Sequence, residues 1–196
     1  MFNTDLNENI QLFSTIVDEN IHRSGISALM NYLSKETDFF IAPASTHYHG
    51  AYEGGLLEHS LEVYYQMLKI SHLYNFDLKA NAESITLVSL FHDVCKINTY
   101  TKSCKNVKNP DNGKWESVPC YIYDTSKNTF GAHGAESMYI VNRFINLTER
   151  EAMAIYHHMG AWNISKGDNL AVAYETNRLA WFLHVADEAA TYIAKI

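Results

Sequence analysis

The chain has 196 residues and 22.4 kDa, with 47% apolar and 19% charged residues, which excludes a disordered chain and supplies a core that needs no staples. Lys plus Arg is 15 and Asp plus Glu is 22, a net charge of −7, which excludes duplex DNA as a partner because cations that neutralise phosphate dominate that binding. Three cysteines with no CxxC pair, no signal segment after Met1 and no apolar run approaching about 18 residues place the chain in a reducing cytoplasm, without a disulfide framework and away from membranes.

Most of the chain reads as helix, in one domain covering 1–196, with N-terminal helices in 1–36 and the remainder in 37–196. Ile26, Leu29, Met30 and Leu33 recur at helical spacing after Ser24-Gly25, and the pattern stops near Lys35. Residues 37–55 hold Pro43, three Gly and two His and read as a long structured loop, a kind of segment that is usually functional. Leu57, Leu61, Tyr64 and Leu68 form a stripe that makes 56–74 an amphipathic helix, and Asp77 can cap the next one. Residues 84–95 are apolar on nearly every side, so the spacing predicts a helix in the middle of the fold. His92 and Asp93 are out of place there, since burying an unpaired carboxylate is costly.

Residues 98–124 break the helical pattern. Asn109-Pro110-Asp111-Asn112-Gly113 is a strong turn signal between Thr99–Val107 and Trp115–Tyr123, both rich in strand formers. The fold class is therefore all-α, a helical bundle with one inserted β-hairpin. Helices resume at 134–146, 149–159 and 171–194, the second opened by the capping-box pair Thr148 and Glu151.

The ten His fall into a pattern: His59, the pair His92-Asp93, His133, the pair His157-His158, and then Asp187. Each lies on an expected helix or at its start. One buried His is usually a satisfied core residue, but five such positions on five inner faces suggest a shared divalent metal, for which imidazole and carboxylate are ordinary ligands. Such an ion would also relieve the burial of Asp93 and Asp187.

This order resembles the HD superfamily of metal-dependent phosphohydrolases. His-Gly-Ala-Tyr-Glu-Gly-Gly-Leu-Leu-Glu-His-Ser (49–60) and Leu-Phe-His-Asp-Val-Cys-Lys (90–96) are similar to the HD part of bacterial 3′–5′ exoribonucleases and to small stand-alone HD proteins of bacteria and phages. The likeness runs from about Phe39 to Tyr192. It implies that His59, His92, Asp93 and Asp187 hold a first metal and that Asp93 bridges to a second. His133 and His157 would hold the second, with His158 instead of or beside His157. It implies that Lys96 contacts substrate phosphate, from the same helix face as His92 and Asp93 one turn on. Three-metal members carry an acid where this chain has Gly55, which speaks against a third ion.

The cofactor implied is one or two divalent ions, Mn, Fe, Ni, Co or Zn, with Mg admissible. The ions and Lys96 would leave the site net positive despite the acidic chain. The activity implied is hydrolysis of a phosphate ester of a nucleotide or nucleotide-derived substrate by a metal-bound hydroxide. Alternatives are a 3′–5′ exoribonuclease on short single-stranded RNA, a two-iron oxygenase, and a non-catalytic nucleotide-binding module. His47 and His49 read equally as substrate contacts or plain loop residues. His184 reads as packing beside Asp187, and Cys95 as packing rather than a nucleophile. Gly54-Gly55 reads as a tight turn ahead of a helix rather than a phosphate cradle. Oligomeric state and the hairpin's role are not readable.

Overall fold

The structure, a computed structural model, describes residues 5–46, 49–127, 129–163 and 169–194. Two N-terminal helices come first: α1 (Leu6–Asn20), with Asp5 accepting from the Asn7 amide, and α2 (Ile26–Lys35). α1 buries Asn9, Phe13, Ile16 and Val17 along one face, and the Phe13 ring meets Phe39, Phe40 and Phe91 at 5.4–5.7 Å. The loop after α2 is structured, as its composition suggests. Thr37 caps back onto Leu33, Asp38 and Asn98 exchange hydrogen bonds, and the Ser45 hydroxyl donates to the His49 carbonyl. It ends in a close approach of two backbones. A Cβ on Gly55 would stand 2.0 Å from the Gly50 carbonyl oxygen, so this pair of strands of chain can meet only without a side chain.

α3 (Gly55–Leu73) is the axis of the fold. The stripe at Leu57, Leu61, Tyr64 and Leu68 predicts a one-sided helix. Its first half is instead buried on every side, at Leu56, Leu57, His59, Ser60, Leu61, Glu62 and Val63, because α1 and the later helices α4 (Leu78–Phe91) and α8 (Arg178–Ala189) all pack on it. Each fully buried Leu, Ile or Phe stabilises the fold by about 1.5–3 kcal/mol. Asp77 caps α4 through the Ala80 amide, and Ile85 to Phe91 are buried without interruption.

α4 stops at Phe91, short of the expected Cys95. His92 is its C-cap, Asp93 leaves helical geometry at φ −111°, and Val94–Lys96 form a 3₁₀ turn. The cause is local. His92 Nδ1 lies 2.8 Å from the Ser89 carbonyl oxygen, the acceptor that a continuing α-helix would offer to the Asp93 amide. Lys96 is therefore on a 3₁₀ turn and not on a shared helix face.

The hairpin is as expected: β1 (Tyr100–Lys108) pairs antiparallel with β2 (Trp115–Tyr123), from Tyr100 opposite Tyr123 to Lys108 opposite Trp115. α5 (His133–Asn142) and α6 (Glu149–His157) follow, the latter with the complete Thr148–Glu151 capping box. The single helix expected over 171–194 is two, α7 (Leu170–Thr176) and α8, the second running into a π-helical turn at Ala190–Ala194. Asn177 divides them. It is extended and 3% exposed, and its side-chain amide donates to the Arg150 carbonyl of α6, a tie that competes with continued helix. Among the described residues no helix is long and apolar enough to cross a membrane.

Candidate metal centre

Four elements bring polar side chains to one buried point. His59 comes from near the start of α3, His92 and Asp93 from the end of α4, His158 from the C-cap of α6, and Asp187 from α8. His59, His92 and His158 are fully buried, with Asp93 and Asp187 at 2% and 9% exposure. His59 Nε2 stands 3.3 Å from His92 Nε2, 3.5 Å from Asp93 Oδ2 and 3.2 Å from Asp187 Oδ1. His92 Nε2 is 3.5 Å from Asp93 Oδ2 and 3.9 Å from Asp187 Oδ1, and His158 Nε2 is 3.4 Å from Asp93 Oδ1.

Backbone aims two of these rings. His92 Nδ1 sits on the Ser89 carbonyl and His158 Nδ1 on the Ile155 carbonyl at 2.7 Å, each three residues back. Each ring thus donates through Nδ1 and presents a lone pair at Nε2, the tautomer a metal requires. His184, 4 residues after Ala180 and one turn before Asp187 on α8, reaches the His158 carbonyl through Nδ1 at 2.7 Å. Its ring stacks on Tyr174 and fills the space beside Gly160, where a Cβ would stand 2.5 Å from it. The 3₁₀ turn is fixed by Ser137, whose hydroxyl accepts from the Cys95 amide.

The residues fit a divalent ion on an observation of the fold itself. Asp93 Oδ1, His133 Nδ1 and His158 Nε2 are buried and lack a hydrogen-bond partner among the described residues, a cost of about 1–3 kcal/mol each if nothing filled the gap. Their grouping matches ligand sets. The donor atoms of His59, His92 and Asp187 lie within 4.8 Å of one another, as do those of His92, Asp93 and His158 and those of Asp93, Cys95 and His133. Ligands about 2.0–2.2 Å from one ion stand ~3 Å or more apart, as these do.

Charge is arranged to suit. Burial works against the Asp93 carboxylate, but Lys96 and His92 outweigh it and hold its pKa well below the usual carboxylate range. Burial likewise opposes the Asp187 carboxylate and His59 overcomes it, again lowering the pKa. Burial lowers the His92 pKa to about 4 and that of His49 to about 4, the latter with help from His59 and Lys96, and it also lowers that of His133. Burial opposes a charge on His158, but its contact with Asp93 raises the pKa. Burial, with Asp93, pushes the Cys95 thiol up to about 12, so this cysteine is an unreactive thiol.

The residues singled out from sequence are not all in one place. His59, His92, Asp93, His158 and Asp187 converge, and His133 joins Asp93 from the start of α5. His157 does not join them: it is the last residue of α6, with its ring edge-on to Tyr156 at 4.7 Å. Lys96 is 7% exposed with Nζ 2.6 Å from Asp93 Oδ2, so its first partner is the carboxylate. The His49 ring packs 4.8 Å from His59, and both its nitrogens are buried without a partner. His47 lies outside the described residues.

A cleft of about 340 Å³ opens onto the centre, lined by His49, Asp93, Lys96, His133, Asp187, Met159, Trp162, Glu188, Thr191 and Tyr192. A smaller recess of about 190 Å³ shares His49, Lys96 and His133 and is walled by Tyr100 and Tyr123 of the hairpin. The sequence reading missed Met159, Trp162, Glu188, Thr191 and Tyr192. The signals were there: Thr191 follows Asp187 by one helical turn, Tyr192 follows Glu188 likewise, and Trp162 is four residues past His158.

Comparison with known proteins agrees with this arrangement. Residues 56–192 match the HD domain family, so the chain belongs to that family. It is similar to a dihydroneopterin 2′,3′-cyclic phosphate phosphodiesterase of Methanocaldococcus jannaschii, 30% identical over 102 residues. That match covers 47% of this chain and 41% of the relative. No solved structure matches.

Proposed function

We propose that the protein hydrolyses a phosphate ester of a small nucleotide-like molecule, a ring system joined to a phosphorylated chain or sugar. The observation that carries this reading is the buried His59–His92–Asp93–Asp187 set with Lys96 at the foot of an open cleft. The relative's substrate is a cyclic phosphodiester on a pterin side chain, which favours a 2′,3′-cyclic phosphate as the bond broken.

In this reading His59, His92, Asp93 and Asp187 hold one divalent ion, and Asp93, His133 and His158 are the residues for a second. Such ions, when bound, make water acidic enough to ionise near neutral pH and offset charge on phosphoryl oxygens. The chain's own residues do the rest. Ser89 and Ile155 hold the imidazoles in register through their carbonyls. Lys96 keeps Asp93 ionised, and as part of the cleft lining it is the cation available to a phosphate oxygen. His49 and His133 close the same wall and supply neutral N–H donors. Water adds to phosphorus, the ester P–O bond breaks, and the leaving oxygen takes the proton, giving a monoester and an alcohol.

The test is a screen of 2′,3′-cyclic nucleotides, nucleoside monophosphates, oligoribonucleotides and bis(p-nitrophenyl) phosphate with Mn, Co, Ni, Mg and Fe, following monoester or phosphate release. Release from a small ester with at least one ion is expected. Release only from oligoribonucleotides would replace this reading with the exonuclease, and no release with any ion would overturn it.

A further inference from the structure

The cleft carries two kinds of group. Lys96, His49 and His133 line both it and the smaller recess, whereas Glu188, Trp162 and Tyr192 line the cleft alone. A carboxylate beside an incoming phosphate is unfavourable unless it faces a different part of the substrate. Glu188 belongs to none of the ligand groups, and it makes no hydrogen bond or ion pair among the described residues. The nearby Tyr174 hydroxyl donates instead to the His157 carbonyl at 3.2 Å. Trp162 and Tyr192 are 79% and 60% exposed, large aromatic faces kept in water at the mouth of a polar centre.

We propose that Glu188 reads the ring of the substrate while Trp162 and Tyr192 stack on it, and that the ring is a 2-amino-4-oxopyrimidine system, as in guanine and the pterins. This rests on the phosphate-ester reading above. An ionised carboxylate is acceptor-only, with two oxygens side by side. It is matched by two adjacent N–H donors. The 2-amino-4-oxo edge supplies them as its ring N–H and exocyclic amine. Adenine and cytosine place an amine beside a ring acceptor, and uracil flanks its one N–H with carbonyls, so each sets a lone pair against the carboxylate. The phosphate then points to Lys96, and the ring spans the cleft mouth.

Calorimetry with guanosine, adenosine and neopterin monophosphates on the wild-type protein, Glu188→Gln, Trp162→Ala and Tyr192→Ala tests this. A charge-assisted pair predicts that the wild type binds the guanine and pterin ligands about ten- to a hundredfold more tightly than the adenine one. Glu188→Gln should bring that ratio near one. Each aromatic variant should weaken guanine and adenine ligands alike, by about fivefold or more, since stacking is blind to the edge. A preference for guanine over pterin, or the reverse, identifies which source the pocket fits. Equal binding of guanine and adenine ligands by the wild type, no binding of either, or a loss of metal in Glu188→Gln would overturn the proposal. Hydrolysis of bis(p-nitrophenyl) phosphate, which has no such edge, reports separately on the phosphate-ester reading. If it persists without ring selectivity, only the ring assignment fails.

Discussion

Between Phe91 and Tyr123 the chain passes from polar groups held out of water to apolar groups held in it. At its start His92, Asp93 and Lys96 are at most 7% exposed, while at the hairpin tip Val107 and Trp115 are 40% and 70% exposed. Both reverse the usual distribution, for different reasons. The first region is fixed by three-dimensional neighbours: α3 supplies His59, α6 supplies His158, α8 supplies Asp187, and each charge has a partner. The second is fixed by its own strand pairing and turn, with Asn109 accepting from the Gly113 amide across a loop where Gly113 has φ +68°. A change in the first should therefore spread through the molecule, and a change in the second should stay where it is made.

The largest expected effect is at Asp93. Asp93→Ala removes a carboxylate shared by two ligand groups and leaves Lys96 buried without a counter-charge, a loss of about 3–5 kcal/mol in stability. Asp93→Asn keeps the shape, and ester hydrolysis by it should fall by about a thousandfold or more, as expected when several kcal/mol of charge stabilisation is lost. Steady-state turnover with metal analysis decides this, and full turnover in Asp93→Asn would place the chemistry elsewhere.

A buried charge remote from the centre tests whether burial alone spreads the damage. Arg23 pairs with Glu151 through two contacts of 2.8 and 2.9 Å and also with Glu83, and Glu151 accepts from Ser84 and Thr148 as well. Arg23→Ala should cost about 3 kcal/mol in urea unfolding and leave kcat/KM per folded molecule unchanged. Burial raises the Glu151 pKa, but Arg23, Ser84 and Thr148 outweigh it and the net shift is downward. Stability from a depressed carboxyl is present above its unfolded value and lost as pH falls through its folded value. The gap between wild type and variant should thus hold from about pH 7 to 5 and close in more acidic solution. A gap that widens there would break the assignment.

Metal removal comes next. Chelation followed by Mn or Ni addition should raise Tm, since an ion at a hundred times its Kd stabilises the native state by about 2.7 kcal/mol, or roughly 5–10 °C in a domain of this size. No shift with either ion would count against the centre. Smallest is Trp115→Ser on the hairpin, expected within about 0.5 kcal/mol of wild type by thermal unfolding. A larger loss would show that the tip is not independent of the core.

The sequence carried the helical class and the hairpin because these depend on local signals, and most of the His and Asp cluster through its resemblance to the HD pattern. Asn-Pro-Asp-Asn-Gly allows little but a turn, and Thr148 with Glu151 opens a helix whatever surrounds it. What depended on tertiary contact was not legible. Asn177 breaks a helix because Arg150 happens to lie opposite. His158 rather than His157 faces Asp93 because of where α6 ends. The apolar stripe of α3 did not announce burial on its polar flank, which follows from three helices packing around it. Trp162 and Tyr192 stand at helical spacing from His158 and Glu188, but only their exposure beside the cleft sets them apart from core aromatics.

His184 works as a strut. It stands one turn before Asp187 on α8 and bears, through Nδ1, on the carbonyl of His158 at the end of α6. The spacing between one candidate ligand group and the other is thus set by a side chain in neither of them. Gly160 is where the strut is seated, and any side chain there would press against the imidazole. Gly160→Ala touches no ligand, yet it would shift the gap between Asp187 and His158, so the tolerance of the centre to error is decided at a glycine outside it.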